Sequence, residues 1–326
     1  MQPAELLIEL EGVSKSYPTG FWRKRVRILS DLSFGVRRNE IVGFLGPNGA
    51  GKTTTIKILN GLAISDGGTV KILGEEVGRR PESRGRIGFM PEQPYFYEYL
   101  TGEEFLRLCG HLYGMDRGRM TRCVPEMLDR LGLSGAGGKT IRKYSKGMMQ
   151  RLGLAQALLH DPELVILDEP MSGLDPMGRI EVRNLIRDLK TAGKTVLFSS
   201  HIVSDVEALC DRVVMIDRGK KVAEGSVEGL VGGGGVRYVE IVFCPVPPPE
   251  RLAAIGLPPG AASVQGDALV VKARDTEEAN RLIPAFREAG SLVRSCSPVK
   301  KQLEDIYMEQ VAKGGGTAGT AIPAGR

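Results

Sequence analysis

Apolar positions along this chain follow two regimes. In the first, short apolar runs alternate with stretches of helical spacing. Leu6 to Val13 reads as a strand, and Leu29 to Val36 and Ile41 to Leu45 continue the sheet. Ile41-Val42-Gly43-Phe44-Leu45 opens on β-branched residues and is apolar throughout, the pattern of a buried strand. Thr53 to Gly61 reads as a helix that stops at its glycine. Gly67-Gly68 marks a turn before the short strand Thr69 to Leu73, and Ile87 to Met90 is a further strand. Gly102 to Leu112, Arg119 to Leu131 and Lys146 to Leu159 carry helical spacing, with no convincing strand between Met90 and Leu164. That predicts a helical subdomain over about residues 95–160. Leu164 to Leu167 is continuously apolar, as in a parallel strand covered on both faces. Pro176 to Thr191 reads as a helix with proline at its first position. Thr195 to Ser199 and Val213 to Ile216 are strands around a helix near Ser204 to Leu209. Strands alternating with helices predict an α/β fold on a parallel sheet.

The second regime follows the glycine run. Residues 231–235 read as a flexible linker between a domain at 1–230 and a smaller α+β domain at 236–313. Strands are expected at Val236 to Phe243, Ala268 to Val271 and Ser291 to Arg294, with Pro245 to Pro249 as an interruption. Helices are expected at Thr276 to Ala289 and Lys301 to Lys313. Gly314 to Arg326 is small and polar and is expected to be disordered. The basic stretch Arg23 to Arg27 reads as a solvated loop or hairpin tip, and Arg79 to Arg86 as an exposed connection.

Composition narrows the class. With 42% hydrophobic and 25% charged residues, the 326-residue chain has an ordinary globular balance. A net charge of +5 is modest for that length and does not argue for nucleic acid. Five dispersed cysteines with no C-x-x-C pair suggest neither a zinc site nor a disulfide framework, and fit a reducing cytosol. Met1 to Glu11 lacks the basic start and apolar core of a signal peptide. No apolar run approaches the roughly 20 residues that span a bilayer, so any membrane work needs another chain.

The chemistry centres on Gly46-Pro47-Asn48-Gly49-Ala50-Gly51-Lys52-Thr53, which fits G-x-x-x-x-G-K-[ST]. It lies between a buried strand and a helix, the order that a phosphate cradle needs. Glycines let backbone N–H groups turn towards one anion, and the helix N-terminus adds partial positive charge. Lys52 can reach the β/γ-phosphates, and the Thr53 hydroxyl can ligate Mg²⁺. Asp168-Glu169 directly follows an apolar strand. There Asp168 can hold Mg²⁺ through water, and Glu169 can polarise an attacking water. Ser145 is a good N-cap, and the N–H groups behind it form a second anion site. One nucleotide occupies both sites only if they face each other, which suggests that two copies meet; taken alone, Ser145 is better explained as a plain helix cap. His201 lies just past a strand, where open α/β sheets place ligands.

With these residues in hand, residues 5 to 230 resemble the ATP-binding subunit of ABC transporters. Gly46 to Thr53 resembles Walker A, and Leu164 to Asp168 resembles Walker B with Glu169 at the catalytic-base position. Tyr144-Ser145-Lys146-Gly147-Met148 is similar to the signature motif, Ser172-Gly173-Leu174-Asp175 to the D-loop, and His201 to the switch histidine. The resemblance implies a P-loop NTPase core and an ATPase that binds ATP and Mg²⁺. It assigns nucleotide contacts to Gly46 through Thr54, including Ala50, with Tyr17 stacking on adenine. It also assigns such contacts to Ser145, Gly147 and Asp175, catalysis to Lys52, Glu169 and His201, and Mg²⁺ to Thr53 and Asp168. Two departures stand out. Lys146 occupies a position that is usually glycine, and the Q-loop position falls on either Glu92 or Gln93. These variations and the C-terminal domain resemble the branch that partners ABC-2-type permeases, mostly in export. The resemblance further implies a homodimer or paired ATPase subunit, held at the cytoplasmic face of the membrane by a permease. A soluble ABC-type ATPase acting on DNA or ribosomes is the competing class; the single cassette and the lack of an extended heptad run count against it.

Overall fold

The computed structural model describes residues 5–19, 24–77, 85–233, 236–258, 260–300 and 302–314. It divides into two compact units, one built on Met1–Val227 and the other on Glu228–Glu309.

The first unit holds two sheets where one was expected. Strands β1 (Leu6–Thr19), β2 (Lys24–Arg37), β4 (Gly67–Ile72) and β5 (Glu75–Glu76) form an antiparallel sheet in the order β2-β1-β4-β5. β1 and β2 are much longer than their apolar runs suggested. Their pairing is interrupted by register shifts between Leu6 and Ile8 and again between Leu10 and Ser16, so the period-2 pattern breaks partway along each strand. The stretch from Lys24 to Arg27, expected in a loop or hairpin tip, is strand paired antiparallel with Ser16 to Thr19 of β1, and Arg23 lies outside the described residues. Of the basic connection at 79–86, only residues 85 and 86 are described.

The second sheet is six-stranded, in the order β10-β9-β3-β8-β7-β6. It comprises β3 (Ile41–Leu45), β6 (Ile87–Met90), β7 (Leu164–Leu167), β8 (Thr195–Ser200), β9 (Arg212–Asp217) and β10 (Lys220–Ser226). All neighbours are parallel except the β9–β10 hairpin at the edge. The core is shared between the sheets: Ile8, Leu10, Leu29, Phe34 and Val70 of the first pack with Val42, Phe44, Ile166, Leu197 and Val214 of the second. Phe34 stacks on Phe44 with ring centroids 5.3 Å apart. Helix α1 (Lys52–Leu59) contributes Ile56, Ile58 and Leu59 to the same cluster. Its C-cap is Asn60, and Gly61 follows with a positive φ of 66°, the left-handed stop that glycine favours.

The parallel register aligns strand ends. Leu45 pairs with Ser200, and Leu167 pairs with Phe198, so the chain leaves β3, β8 and β7 on one edge of the sheet. Gly46, His201 and Asp168 are the residues that exit there, at the carboxyl ends where open α/β sheets hold ligands.

Between Met90 and Leu164 the described residues carry helices and no named strand. Helix α2 (Gly102–Leu112) starts at a Thr101–Glu104 capping box, α3 (Arg117–Arg130) at Asp116 and α4 (Lys146–Leu158) at Ser145. Helix α5 (Pro176–Thr191) matches its predicted span and is capped by Asp175; α6 (Val203–Leu209) follows β8.

The glycine run is helical in part: α7 spans Val227–Gly233, and residues 234 and 235 lie outside the described residues. Glycine is a poor helix former, so composition alone pointed to a linker. The second unit is an antiparallel sheet ordered β12-β13-β11-β14, from β11 (Val236–Cys244), β12 (Ala262–Gln265), β13 (Ala268–Ala273) and β14 (Leu292–Lys300). Alternate residues Val239, Ile241 and Phe243 of β11 and Leu269, Val271 and Ala273 of β13 face Phe286 of α9 (Thr276–Glu288) in one core. Helices α8 (Pro249–Ile255) and α10 (Leu303–Gly314), the latter up to Glu309, complete the unit's elements. The tail expected to be disordered lies, from residue 315 on, outside the described residues.

Candidate functional site

The phosphate loop runs from β3 into α1, and its glycines are there for distinguishable reasons. A Cβ on Gly46 would sit 2.4 Å from the Ile216 carbonyl oxygen. A Cβ on Gly51 would sit 2.6 Å from Leu29 Cδ2, and Gly51 also has φ at 108°. Gly49 has open space around it, but its φ of 81° is one that other residues rarely adopt. Packing against β9 and β2 thus fixes the loop from behind.

Lys52 folds back over this loop. Its ammonium donates to the Gly46 carbonyl at 2.7 Å and the Pro47 carbonyl at 3.3 Å, and pairs with Glu169 Oε1 at 3.2 Å. Both side chains are buried, at 6% and 9% exposure. His201 Nδ1 donates to the other carboxylate oxygen, Glu169 Oε2, at 2.9 Å. Glu169 is therefore held between a cation from α1 and an imidazole from the end of β8. Its backbone is in the left-handed region at φ 49°, a conformation that a non-glycine residue keeps only when its surroundings enforce it.

Three groups enforce it. Ser199 Oγ accepts from the Glu169 N–H at 2.8 Å and donates to Asp168 Oδ1 at 2.6 Å, so one hydroxyl fixes both acids. Gln150 of α4 donates to the Glu169 and Pro170 carbonyls at 3.4 and 2.9 Å. The Ser172 N–H closes a turn onto the Glu169 carbonyl at 3.0 Å. Ser199 and Gln150 were not singled out from sequence. Ser199 directly follows the apolar run Val196-Leu197-Phe198 of a buried strand, a signal that sequence carried; Gln150 lies beside Arg151 and only its 4% exposure marks it out.

Asp168 is almost wholly buried, and burial pushes its carboxyl above the usual range, opposed by hydrogen bonds from Ser199 and Thr53. The Thr53 hydroxyl and Asp168 carboxylate are thus in contact, and they are the hard oxygen donors that Mg²⁺ prefers. No cluster of three or more His, Cys, Asp or Glu suited to a metal occurs among the described residues. A magnesium ion here would accordingly take most of its ligands from water and phosphate, as it usually does.

A cleft of about 490 Å³ is lined by Pro47, Asn48, Gly49, Gly51, Lys52, Thr53 and Thr54 from the loop and helix, and by Glu92, Glu169, Ser172 and His201. Ile28 also contributes to its wall. Glu92 lines this cleft and Gln93 does not. Ala50 is buried beneath the loop and donates its N–H to the Pro47 carbonyl. Tyr17, Ser145, Gly147 and Asp175 lie outside the lining. Tyr17 is half-exposed on β1 with the Lys15 ammonium 5.2 Å from its ring centroid. Ser145 and Asp175 each cap a helix, accepting from the Met148 and Gly178 N–H groups at 3.3 and 2.9 Å. Gly147 packs beside Leu174, so the starts of α4 and of the turn before α5 lie against each other.

A glycine cradle at a helix N-terminus, a lysine, paired hydroxyl and carboxylate oxygens and a braced second carboxylate are chemistry suited to a magnesium-bound polyphosphate. Comparison with known proteins gives the family. The family described as "ABC transporter" matches residues 29–172. An uncharacterised ABC transporter ATP-binding protein of Nostoc sp. is 48% identical over 237 residues, covering 72% of this chain and 70% of that protein. The chain belongs to the ABC transporter ATP-binding family. As an ABC ATPase, it is also 32% identical to a daunorubicin resistance ATP-binding protein of Streptomyces coeruleorubidus, over 94% of this chain and 96% of the relative. That match extends through the second unit. A solved structure described as the ATP-binding subunit of an ABC transporter superposes with a TM-score of 0.63 at 34% identity, covering 70% of this chain and 92% of that one. The α/β P-loop architecture expected from the sequence is the architecture found.

Proposed function

We propose that this ABC ATPase closes as a pair on two MgATP and thereby drives a separate membrane permease, in the direction of export. One observation carries the reading. Lys52, Thr53, Thr54, Glu169 and His201 line one cleft, while the N-terminus of α4, with Ser145 and Gly147, stands outside it. A second copy can bring its own α4 N-terminus over that cleft, where its free N–H groups and partial positive charge meet the γ-phosphate.

Within the pair, Lys52 and the N–H groups of the loop from Asn48 to Thr54, apart from that of Ala50, hold the phosphates. Thr53 and Asp168 hold Mg²⁺, which supplies charge neutralisation to the transferring group. Glu169 orients the attacking water, and His201 keeps Glu169 aimed while completing the wall around the γ-phosphate. Glu92 takes the Q-loop position, since it faces the cleft. Tyr17 stacks on adenine, and Asp175 presents the turn before α5 to the partner copy.

No described helix is long and apolar enough to cross a membrane. The family resemblance supports a separate permease of the ABC-2 type as the spanning partner, with the ATPase peripheral at the cytoplasmic face. Export rests on the relative named for daunorubicin resistance, because outward pumping is a direct way for a transport ATPase to protect a cell. Nothing in the composition favours nucleic acid as a partner. The unit at Glu228–Glu309 is read as an accessory domain that supports pairing.

Replacing Glu169 by glutamine tests the scheme. Hydrolysis is expected to stop while MgATP binding persists and ATP-bound dimers accumulate in sedimentation. Substantial remaining turnover removes Glu169 from the water-orienting role.

A further inference from the structure

Helix α6 has an unusual support. It is only seven residues long and its N-cap, Ile202, makes no side-chain capping bond. A helix this short does not hold itself together. The ties come instead from α5. Arg183 Nε donates to Asp205 Oδ1 at 3.1 Å, and the Arg183 terminal nitrogen makes a second bond to the same oxygen. One turn further on, Arg187 donates to the Ala208 carbonyl at 3.1 Å. Asp205 is 1% exposed, and its Oδ2 has no hydrogen-bond partner among the described residues. A buried carboxylate with one unpartnered oxygen is costly to keep.

Its place in the chain gives that cost a purpose. α5 begins at the Asp175 cap, directly after Ser172 of the phosphate cleft. α6 begins two residues after His201, and Ser200 Oγ accepts from the Ile202 N–H at 2.9 Å, tightening that junction. A ring results: from Glu169 through the turn to α5, across Arg183 and Asp205 to α6, then back through His201 to Glu169 Oε2.

We propose that Arg183 and Asp205 are positioning residues for the hydrolytic step, setting where His201 meets Glu169. The proposal rests on the reading that His201 serves that step. Asp205 is not among the residues that line the phosphate cleft; it acts by fixing the first turn of α6. Because α5 starts at the turn between Ser172 and Asp175, movement of that turn reaches His201 through this pair.

The test is a cycle on the full chain, using steady-state ATPase rates and histidine NMR. Asp205→Asn keeps the shape and removes the charge. It is expected to lower kcat roughly ten- to hundred-fold, as small misplacements of catalytic groups do, with KM for MgATP within about twofold. In the His201→Ala background the same change is expected to have no further effect, because both act through one group. The chain has only three histidines, so the His201 ring resonance is readily followed. It is expected to move in Asp205→Asn while those of His111 and His160 stay put. An equal loss of kcat in both backgrounds, or an unmoved His201 resonance, overturns the proposal. If Asp205→Asn fails to fold, Arg183→Lys takes its place; it keeps the charge, loses the two-point contact and is expected to show a smaller loss that also vanishes without His201. Should His201→Ala itself leave kcat intact, the role given to His201 fails, and this proposal fails with it by a separately visible result.

Discussion

Alanine placed in turn at Gly49 and Gly51 separates conformational need from packing need within one loop. At Gly49 the added Cβ meets nothing within 4 Å, so the cost is conformational alone, from φ at 81°. A left-handed alanine costs about 1–2 kcal/mol, offset by about 0.4–1 kcal/mol from a stiffer unfolded chain, for a net near 1 kcal/mol. At Gly51 the same conformational cost applies at φ 108°, and the Cβ also lies 2.6 Å from Leu29 Cδ2 in the core shared by the two sheets. Overpacking adds about 1–3 kcal/mol, for a total of roughly 2–4 kcal/mol. In a unit of this size, about 1 kcal/mol moves Tm by roughly 2–4 °C. Gly49→Ala is therefore expected to lower Tm by about 2–4 °C and Gly51→Ala by about 4–16 °C. Thermal unfolding by circular dichroism in nucleotide-free buffer reads both. Equal losses at the two positions refute the packing argument, and no loss at Gly49 refutes the backbone argument.

Other consequences are equally direct. Lys52→Met leaves Glu169 buried beside His201 without its cation and is expected to destabilise the nucleotide-free protein by up to about 3–5 kcal/mol; adding Glu169→Gln should recover most of that, measured by urea unfolding. Asp168 has a folded pKa raised by burial, so its contribution is fully favourable only below its unfolded value and is lost as pH rises through the folded one. Asp168→Asn is accordingly expected to raise Tm at pH 7 without nucleotide and to abolish the part of ATP stabilisation that depends on Mg²⁺. His160 runs the other way. It is stacked on Tyr113 with ring centroids 3.7 Å apart, and burial holds its pKa below the usual value. A depressed value means that stability is present above about pH 6.5 and is lost as pH falls from there towards the folded pKa. Replacing His160 by glutamine should flatten that acid limb in a Tm-versus-pH series.

Much of the site was readable because its chemistry needs local patterns. The phosphate loop requires its glycines, lysine and threonine in one run between a strand and a helix, and a buried parallel strand has to be apolar up to the acid that ends it. Helix α5 could be bounded because Asp175, Pro176 and the apolar spacing agree. What could not be read depends on distant residues. Nothing near Glu169 announces its left-handed backbone, which is imposed by Ser199 from thirty residues on and Gln150 from the preceding helix. Lys52 was assigned to phosphate and His201 to the switch-histidine position; their shared grip on Glu169 appears only when β3, β7 and β8 lie side by side. The separate antiparallel sheet was missed because bulges in β1 break the alternation that would have marked it. The edge strand β10 was missed because Lys220 to Ser226 is polar, with an exposed or half-exposed side chain at every position.

The account stands or falls on whether one chain's cleft needs another chain to work. Specific ATPase activity measured across protein concentrations, with sedimentation at each point, is the direct test. A rate per chain that rises steeply from near zero and levels off as MgATP-bound dimers form is the predicted result. Full activity at concentrations where only monomers sediment contradicts it.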